Sequence, residues 1–78
     1  MRTHVHLIDL GGHMTAEFTP IPDPRETKII EGVLGWLSVG EPKMVIDSNK
    51  EVMTAPLARD VVPLSALAVF HSVGCEPL

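Results

Sequence analysis

Hydrophobic and polar residues alternate over the first part of the chain, with the period of a half-buried β-strand. The alternation covers residues 3–10 and resumes over residues 13–19, on the far side of Gly11 and Gly12. Glycine accepts the positive φ of a two-residue hairpin turn, so this pattern predicts a β-hairpin whose register is fixed by the turn. The predicted partners are Leu10 with His13, Ile8 with Thr15, His6 with Glu17 and His4 with Thr19.

The predicted register gives the hairpin one apolar face and one polar face. The apolar face, which we expect to point into the core, consists of Val5, Leu7, Met14, Ala16 and Phe18, with Asp9 near the turn. The polar face carries His4, His6, His13 and Glu17.

The spacing of apolar residues then changes to that of a helix. Asp23 is a good N-cap, Pro24 suits the first helical position, and Glu26 stands three residues after the cap. The signals predict a helix from Pro24 to Val39 that stops at Gly40. Its apolar stripe, expected to face the core, is Ile29, Ile30, Val33, Leu34, Trp36 and Leu37.

Two glycines interrupt this helix, each at a cost of about 1 kcal/mol relative to alanine. Gly32 and Gly35 flatten one flank, and we expect that flank to admit another backbone. Further along, residues 43–47 and 51–55 predict a second hairpin around the turn formers Ser48 and Asn49.

Residues 63–73 are ambiguous between strand and helix by periodicity, and an internal repeat favours helix. Ile-Asp followed by Met-Thr-Ala occurs in residues 8–16 and again in residues 46–55, and Ser-Val-Gly occurs at 38–40 and 72–74. The alternative is coincidence in a short chain rich in valine, alanine and proline. The repeat equates the last segment with the first helix.

These elements predict a single α+β domain over residues 1–78 with the order ββαββα. Repeat one covers residues 3–40 and repeat two residues 43–74. The expected architecture is a four-stranded, mostly antiparallel sheet with two helices on one face. Trp36 would correspond to Phe70, and both are expected to face the core.

Composition limits the partners. With 78 residues, 45% of them apolar, and one cysteine that excludes an intrachain disulfide, the chain is expected to gain stability as a homodimer. The net charge is −4 and no two of the six Lys and Arg residues are adjacent, so nucleic acid is not an expected partner. No apolar run reaches the roughly 20 residues of a membrane span, no signal peptide is evident, and the lone thiol fits the cytoplasm.

Three sets of residues could carry chemistry, and each has a simpler explanation. His4, His6 and Glu17 share a face of the first hairpin, as a zinc-like site requires, but polar decoration of the solvent side explains them better, and no metal or cofactor is assigned. Cys75 with His71 as base would need a helix that Gly74 interrupts, so a passive thiol near a mobile C-terminus is expected. A pair of aspartates, Asp9 and Asp47, is better explained by turn formation, where aspartate is favoured.

The sequence therefore favours a non-catalytic protein. We expect a small regulatory or accessory protein that acts by contact with a protein partner of unknown identity, and a phage or mobile-element protein fits this profile. The alternatives are a metal- or ligand-binding domain using His4, His6 and Glu17, and a small enzyme whose site forms across a dimer.

Overall fold

Two strand–strand–helix units follow one another along the chain, in the predicted order ββαββα. The computed structural model describes residues 1–78. The elements are β1 (His4–Asp9), β2 (Met14–Thr19), α1 (Pro24–Leu37), β3 (Val45–Asp47), β4 (Val52–Pro56) and α2 (Pro63–Ser72). The strands form one four-stranded antiparallel sheet in the order β1-β2-β4-β3, so the predicted α+β fold class is confirmed.

The first hairpin has the register that its glycine turn predicts. His4 pairs with Thr19 and His6 pairs with Glu17 across β1 and β2. Gly11 and Gly12 take φ values of 65° and 91°, which only glycine adopts without strain. The glycine turn and the alternation of the two strands therefore predicted the register of this hairpin.

The second hairpin differs in its turn and in the length of β3. Asp47 pairs with Val52, so the turn spans the four residues 48–51, one more than the three left between the predicted strands. One carboxylate oxygen of Asp47 accepts the backbone N–H groups of Asn49 (3.0 Å) and Lys50 (3.2 Å). Glu51 takes a left-handed φ of 56° to close the longer turn. Strand β3 is left with three residues.

Helix α1 begins where predicted and ends two residues early. The Asp23 carboxylate accepts the Glu26 N–H at 2.7 Å, as expected for an N-cap. The helix ends at Leu37 because Ser38 turns to an extended conformation while its N–H still donates to the Leu34 carbonyl at 2.8 Å. The last segment is helical, as the repeat predicted.

Both helices pack on the same face of the sheet, and the core lies between them and the strands. The buried cluster consists of Val5, Ala16, Phe18, Ile30, Val33, Leu34, Leu37, Met53, Ala55, Leu57, Ala66, Phe70 and Cys75. Phe18 of β2 and Phe70 of α2 meet edge to face, with ring centroids 5.4 Å apart and planes at 69°. This aromatic pair joins the second helix to the middle of the sheet.

The predicted equivalence of Trp36 and Phe70 in the core is wrong. Phe70 is fully buried, whereas 87% of the surface of Trp36 is exposed. Trp36 follows the buried Leu34 by two residues, which places it about 160° around the helix from that side chain. Ile29 is also exposed, so the buried stripe of α1 is narrower than its apolar stripe.

Candidate functional site

The histidines of the first hairpin lie on the outer face of the sheet, away from the helices. His4 and His6 are exposed, and Glu17 is half-buried directly across from His6. No group of three or more His, Cys, Asp or Glu side chains is placed to hold a metal ion. The geometry at His4, His6 and Glu17 is that of a cross-strand pair with a neighbouring imidazole.

Two other histidines have partners that sequence reasoning did not identify. The His13 ring nitrogen Nε2 lies 3.1 Å from Nη2 of Arg59, which can donate to it. His71 Nδ1 lies 2.9 Å from a carboxylate oxygen of Glu76, within hydrogen-bonding distance, and both side chains are exposed. His71 is therefore engaged by Glu76, and Cys75 makes its hydrogen bond elsewhere.

The prediction that Cys75 lies near a mobile C-terminus is wrong. The last residues run beside β1, where the Val5 N–H donates to the Glu76 carbonyl and the Leu78 N–H donates to the Val5 carbonyl, both at 2.9 Å. Cys75 is fully buried, and its thiol donates to the Thr3 carbonyl at 3.4 Å. Two backbone hydrogen bonds and the buried thiol therefore fix the C-terminal residues against β1.

Burial also makes the thiol chemically inert. Loss of solvent, and secondarily the negative charge of Glu26, raises the pKa of Cys75 from 9.0 to about 11. A nucleophilic cysteine needs a lowered pKa and access to solvent, and Cys75 has neither. It acts as a core residue.

We expect the native protein to resist alkylation at Cys75. A pKa rise from 9.0 to about 11 lowers the thiolate fraction near pH 8 by about 100-fold, and burial slows the reaction further. The measurement is the rate of iodoacetamide labelling by mass spectrometry, with protein in denaturant as the control. Native labelling within tenfold of the denatured rate would contradict a buried thiol.

The two aspartates that occupy matching positions in the repeats are turn residues, as predicted. Asp9 accepts the Gly12 N–H at 3.0 Å, and Asp47 accepts two N–H groups in the second turn. Each carboxylate lies in a different hairpin and satisfies its own backbone. They do not form a shared site.

A hollow of about 520 Å³ lies at the start of α1, and its acidic groups already have structural roles. Asp23 caps the helix. The Glu26 carboxylate accepts the backbone N–H groups of Arg2 and Thr3, each at 3.1 Å, instead of returning to the cap residue. The two acidic side chains of the hollow therefore cap α1 and hold the N-terminal residues against it.

An apolar groove between the outer sides of α1 and α2 has no such structural explanation. We call it the helix-face groove; it has a volume of about 420 Å³ and is lined by Ile29, Gly32, Val33, Trp36, Val69 and Val73. A Cβ at Gly32 would meet no atom within 4 Å, so the groove is open above this residue. Trp36 stands at its edge with 87% of its surface in solvent.

Sequence reasoning placed part of this groove in the core. Ile29, Gly32 and Trp36 are spaced by three and four residues, which is the spacing of a second stripe along a helix. Val39 follows just past the helix and is 84% exposed. This second stripe runs beside a stripe that already supplies the core contacts of α1. Its presence was the sequence signal that distinguishes the groove residues from the core residues.

No helix of the structure combines the length and the apolar composition needed to cross a membrane. No protein-family model matches the chain, no curated protein is significantly similar to it, and no solved structure is significantly similar to its fold.

Proposed function

We propose that this chain is a small, non-catalytic regulatory or accessory protein that acts by binding another protein through its helix-face groove. The observation that carries the proposal is the exposure of Trp36, at 87%, beside an open apolar groove. Exposed tryptophan in a contiguous apolar patch is typical of contact sites, because aromatic residues supply large apolar area at low entropic cost.

The two edges of the sheet are less suitable than the helix-face groove for binding another protein. One edge of the sheet, at β1, is already covered by the C-terminal residues, because Pro77 forms a parallel β-bridge with Val5. The opposite edge exposes Val45 and Ile46, but β3 is only three residues long, and short edge strands are poor templates for pairing. The helix-face groove is therefore the favoured docking surface.

The compartment we propose is the cytoplasm. The support is the unpaired Cys75, since a chain with one free thiol and no disulfide suits a reducing environment. This proposal is independent of the docking surface.

The proposed function predicts that a specific partner depends on Trp36. The immobilised protein, its Trp36→Ala variant and a Leu10→Ala control are compared for the proteins they retain from the lysate of cells that produce this chain. Leu10 is also an exposed apolar residue, but it lies in the first hairpin turn, away from the groove. We expect at least one protein other than this chain to be retained by the native and Leu10→Ala forms and lost from Trp36→Ala. Equal recovery on all three would contradict the proposal.

A further inference from the structure

We infer that a hollow between the first hairpin turn and the loops that follow α1 and β4 binds a small, doubly charged oxyanion such as a phosphate group. The hollow has a volume of about 290 Å³, and three basic side chains line it: His13, Lys43 and Arg59. We call it the basic hollow. It shares no residue with the helix-face groove, so the inference does not depend on the proposed function.

The three basic side chains come from separate parts of the chain. His13 follows the turn of the first hairpin, Lys43 lies in the loop between α1 and β3, and Arg59 lies in the loop between β4 and α2. Nη2 of the Arg59 guanidinium lies 3.1 Å from Nε2 of His13, although the two residues are 46 positions apart. The basic hollow is therefore a product of the tertiary structure, and no run of basic residues in the sequence indicated it.

Backbone hydrogen bonds hold the walls of the basic hollow in place. The Ala58 N–H donates to the Leu37 carbonyl at 2.7 Å, which fixes the residue before Arg59 against the end of α1. The Leu57 N–H donates to the Met14 carbonyl at 2.8 Å, which joins the same segment to the first hairpin. Little conformational entropy is lost when a ligand binds to backbone that is already ordered, so these bonds favour binding.

The charge of the basic hollow is opposite in sign to the charge of the whole protein. The chain has a net charge of −4, whereas the hollow is lined by two permanent cations, Lys43 and Arg59, and a single carboxylate, Glu41. Neither cation forms an ion pair with a carboxylate. A concave surface with an excess of positive charge concentrates the field and attracts anions, even on an acidic protein.

The donors of the basic hollow suit an oxyanion with several oxygen atoms. A guanidinium carries five N–H donors in a planar fork that can bind two oxygens of one phosphate or sulfate. A neutral His13 ring accepts one N–H of Arg59, which orients the guanidinium and leaves its other donors free. Lys43 adds a compact ammonium group on the same hollow. A doubly charged anion interacts more strongly with these two cations than a singly charged carboxylate does.

The inference is tested by titrating the isotope-labelled native protein with sodium sulfate, inorganic phosphate or sodium acetate and following the backbone amide signals by NMR. Sodium chloride keeps the ionic strength low and constant, because salt screens exposed charges. We expect sulfate and phosphate to give saturable shifts confined to residues 41–43 and 57–59 and to His13, with dissociation constants in the millimolar range. Acetate should bind at least fivefold more weakly. Shifts that do not saturate, or that spread over all exposed amides, would indicate an adventitious ion only and overturn the inference.

Matched charge variants test which cations bind the ion. Arg59→Gln and Lys43→Gln each remove one positive charge from the basic hollow, and Lys50→Gln removes the same charge from the second hairpin turn, outside the hollow. All three side chains are exposed, so the fold should be preserved, and the amide spectrum checks this. We expect sulfate binding to weaken at least fivefold in the first two variants and less than twofold in Lys50→Gln. Equal losses in all three would show a response to net charge alone and overturn the inference.

Removal of the carboxylate of the basic hollow should act in the opposite direction. Glu41→Gln takes away the negative charge that lines the hollow beside Lys43 and Arg59, so we expect sulfate to bind at least twofold more tightly. Glu31→Gln is the control, because Glu31 is exposed on α1 and does not line the hollow. A damaged fold would not increase affinity. The absence of tighter binding in Glu41→Gln relative to Glu31→Gln would overturn the inference.

A phosphate group could reach the basic hollow as the free ion or as part of a larger molecule. Glycerol phosphate, a phosphate monoester, is therefore compared with inorganic phosphate in the same titration. Tighter binding of the monoester would assign the hollow to phosphate esters, and tighter binding of inorganic phosphate would assign it to the free ion. Either result supports the site, whereas failure of both ligands to bind would overturn it.

Discussion

Replacing Phe70 with alanine is expected to destabilise the domain by about 3–5 kcal/mol, the usual cost of deleting a buried phenylalanine. Phe70 is fully buried and is the main aromatic contact of α2 with the sheet, through the ring of Phe18. A chain of 78 residues has a total stability of about 4–12 kcal/mol, so this single change removes a large part of it.

The measurement is urea unfolding followed by circular dichroism, at a concentration low enough to keep the protein monomeric, because association would add to the apparent stability. Leu64→Ala is the control: Leu64 lies in the same helix but is exposed, so a change below about 0.5 kcal/mol is expected. A loss under about 1 kcal/mol for Phe70→Ala would show that α2 is not held by this pair.

The second large effect is expected from Leu34→Ala, at about 2–5 kcal/mol, in contrast to a change below about 0.5 kcal/mol for Trp36→Ala in the monomer. Leu34 is fully buried, whereas Trp36 has most of its surface in water. The two residues are two positions apart in α1, so the pair compares core and surface in one helix. Trp36 is the larger side chain, but its removal is expected to change the stability of the domain less than removal of Leu34.

Both variants are measured by urea unfolding with circular dichroism, and Trp36→Ala also by its retention of a partner protein. If Trp36→Ala destabilised the isolated monomer by about 3 kcal/mol or more, the residue would belong to the core, as its place in the apolar stripe first suggested. A small effect on stability together with loss of the retained partner protein would assign Trp36 to the contact surface.

The elements that sequence predicted well are those determined by neighbouring residues. Gly11 and Gly12 fix a two-residue turn, and with it the pairing of His6 with Glu17. The N-cap at Asp23 starts α1 at the predicted residue because its carboxylate needs only the N–H group three residues on. The periodicity of α2 was ambiguous, and the internal repeat predicted that it is a helix like α1.

The sequence also indicated some of the candidate site. Gly32 and Gly35 were predicted to flatten a flank of α1 for another backbone, and Gly32 lies in the groove. Glycine lowers the stability of a helix, so two glycines in α1 are conspicuous in the sequence and indicated this flank. Its apolar neighbours Ile29 and Trp36 were assigned to the core, since hydrophobicity alone does not distinguish a buried residue from an exposed contact residue.

Only the tertiary structure decided which apolar residues are buried. One sheet covers a limited arc of α1, so Leu34 lies inside and Trp36 outside although both belong to one apolar stripe. Cys75 follows a helix-stopping glycine and reads as a loose end, yet the chain returns along β1 and buries the thiol against Thr3. These outcomes depend on contacts between residues far apart in sequence, whereas turns and caps depend on groups a few residues apart, and the sequence specifies such local chemistry directly.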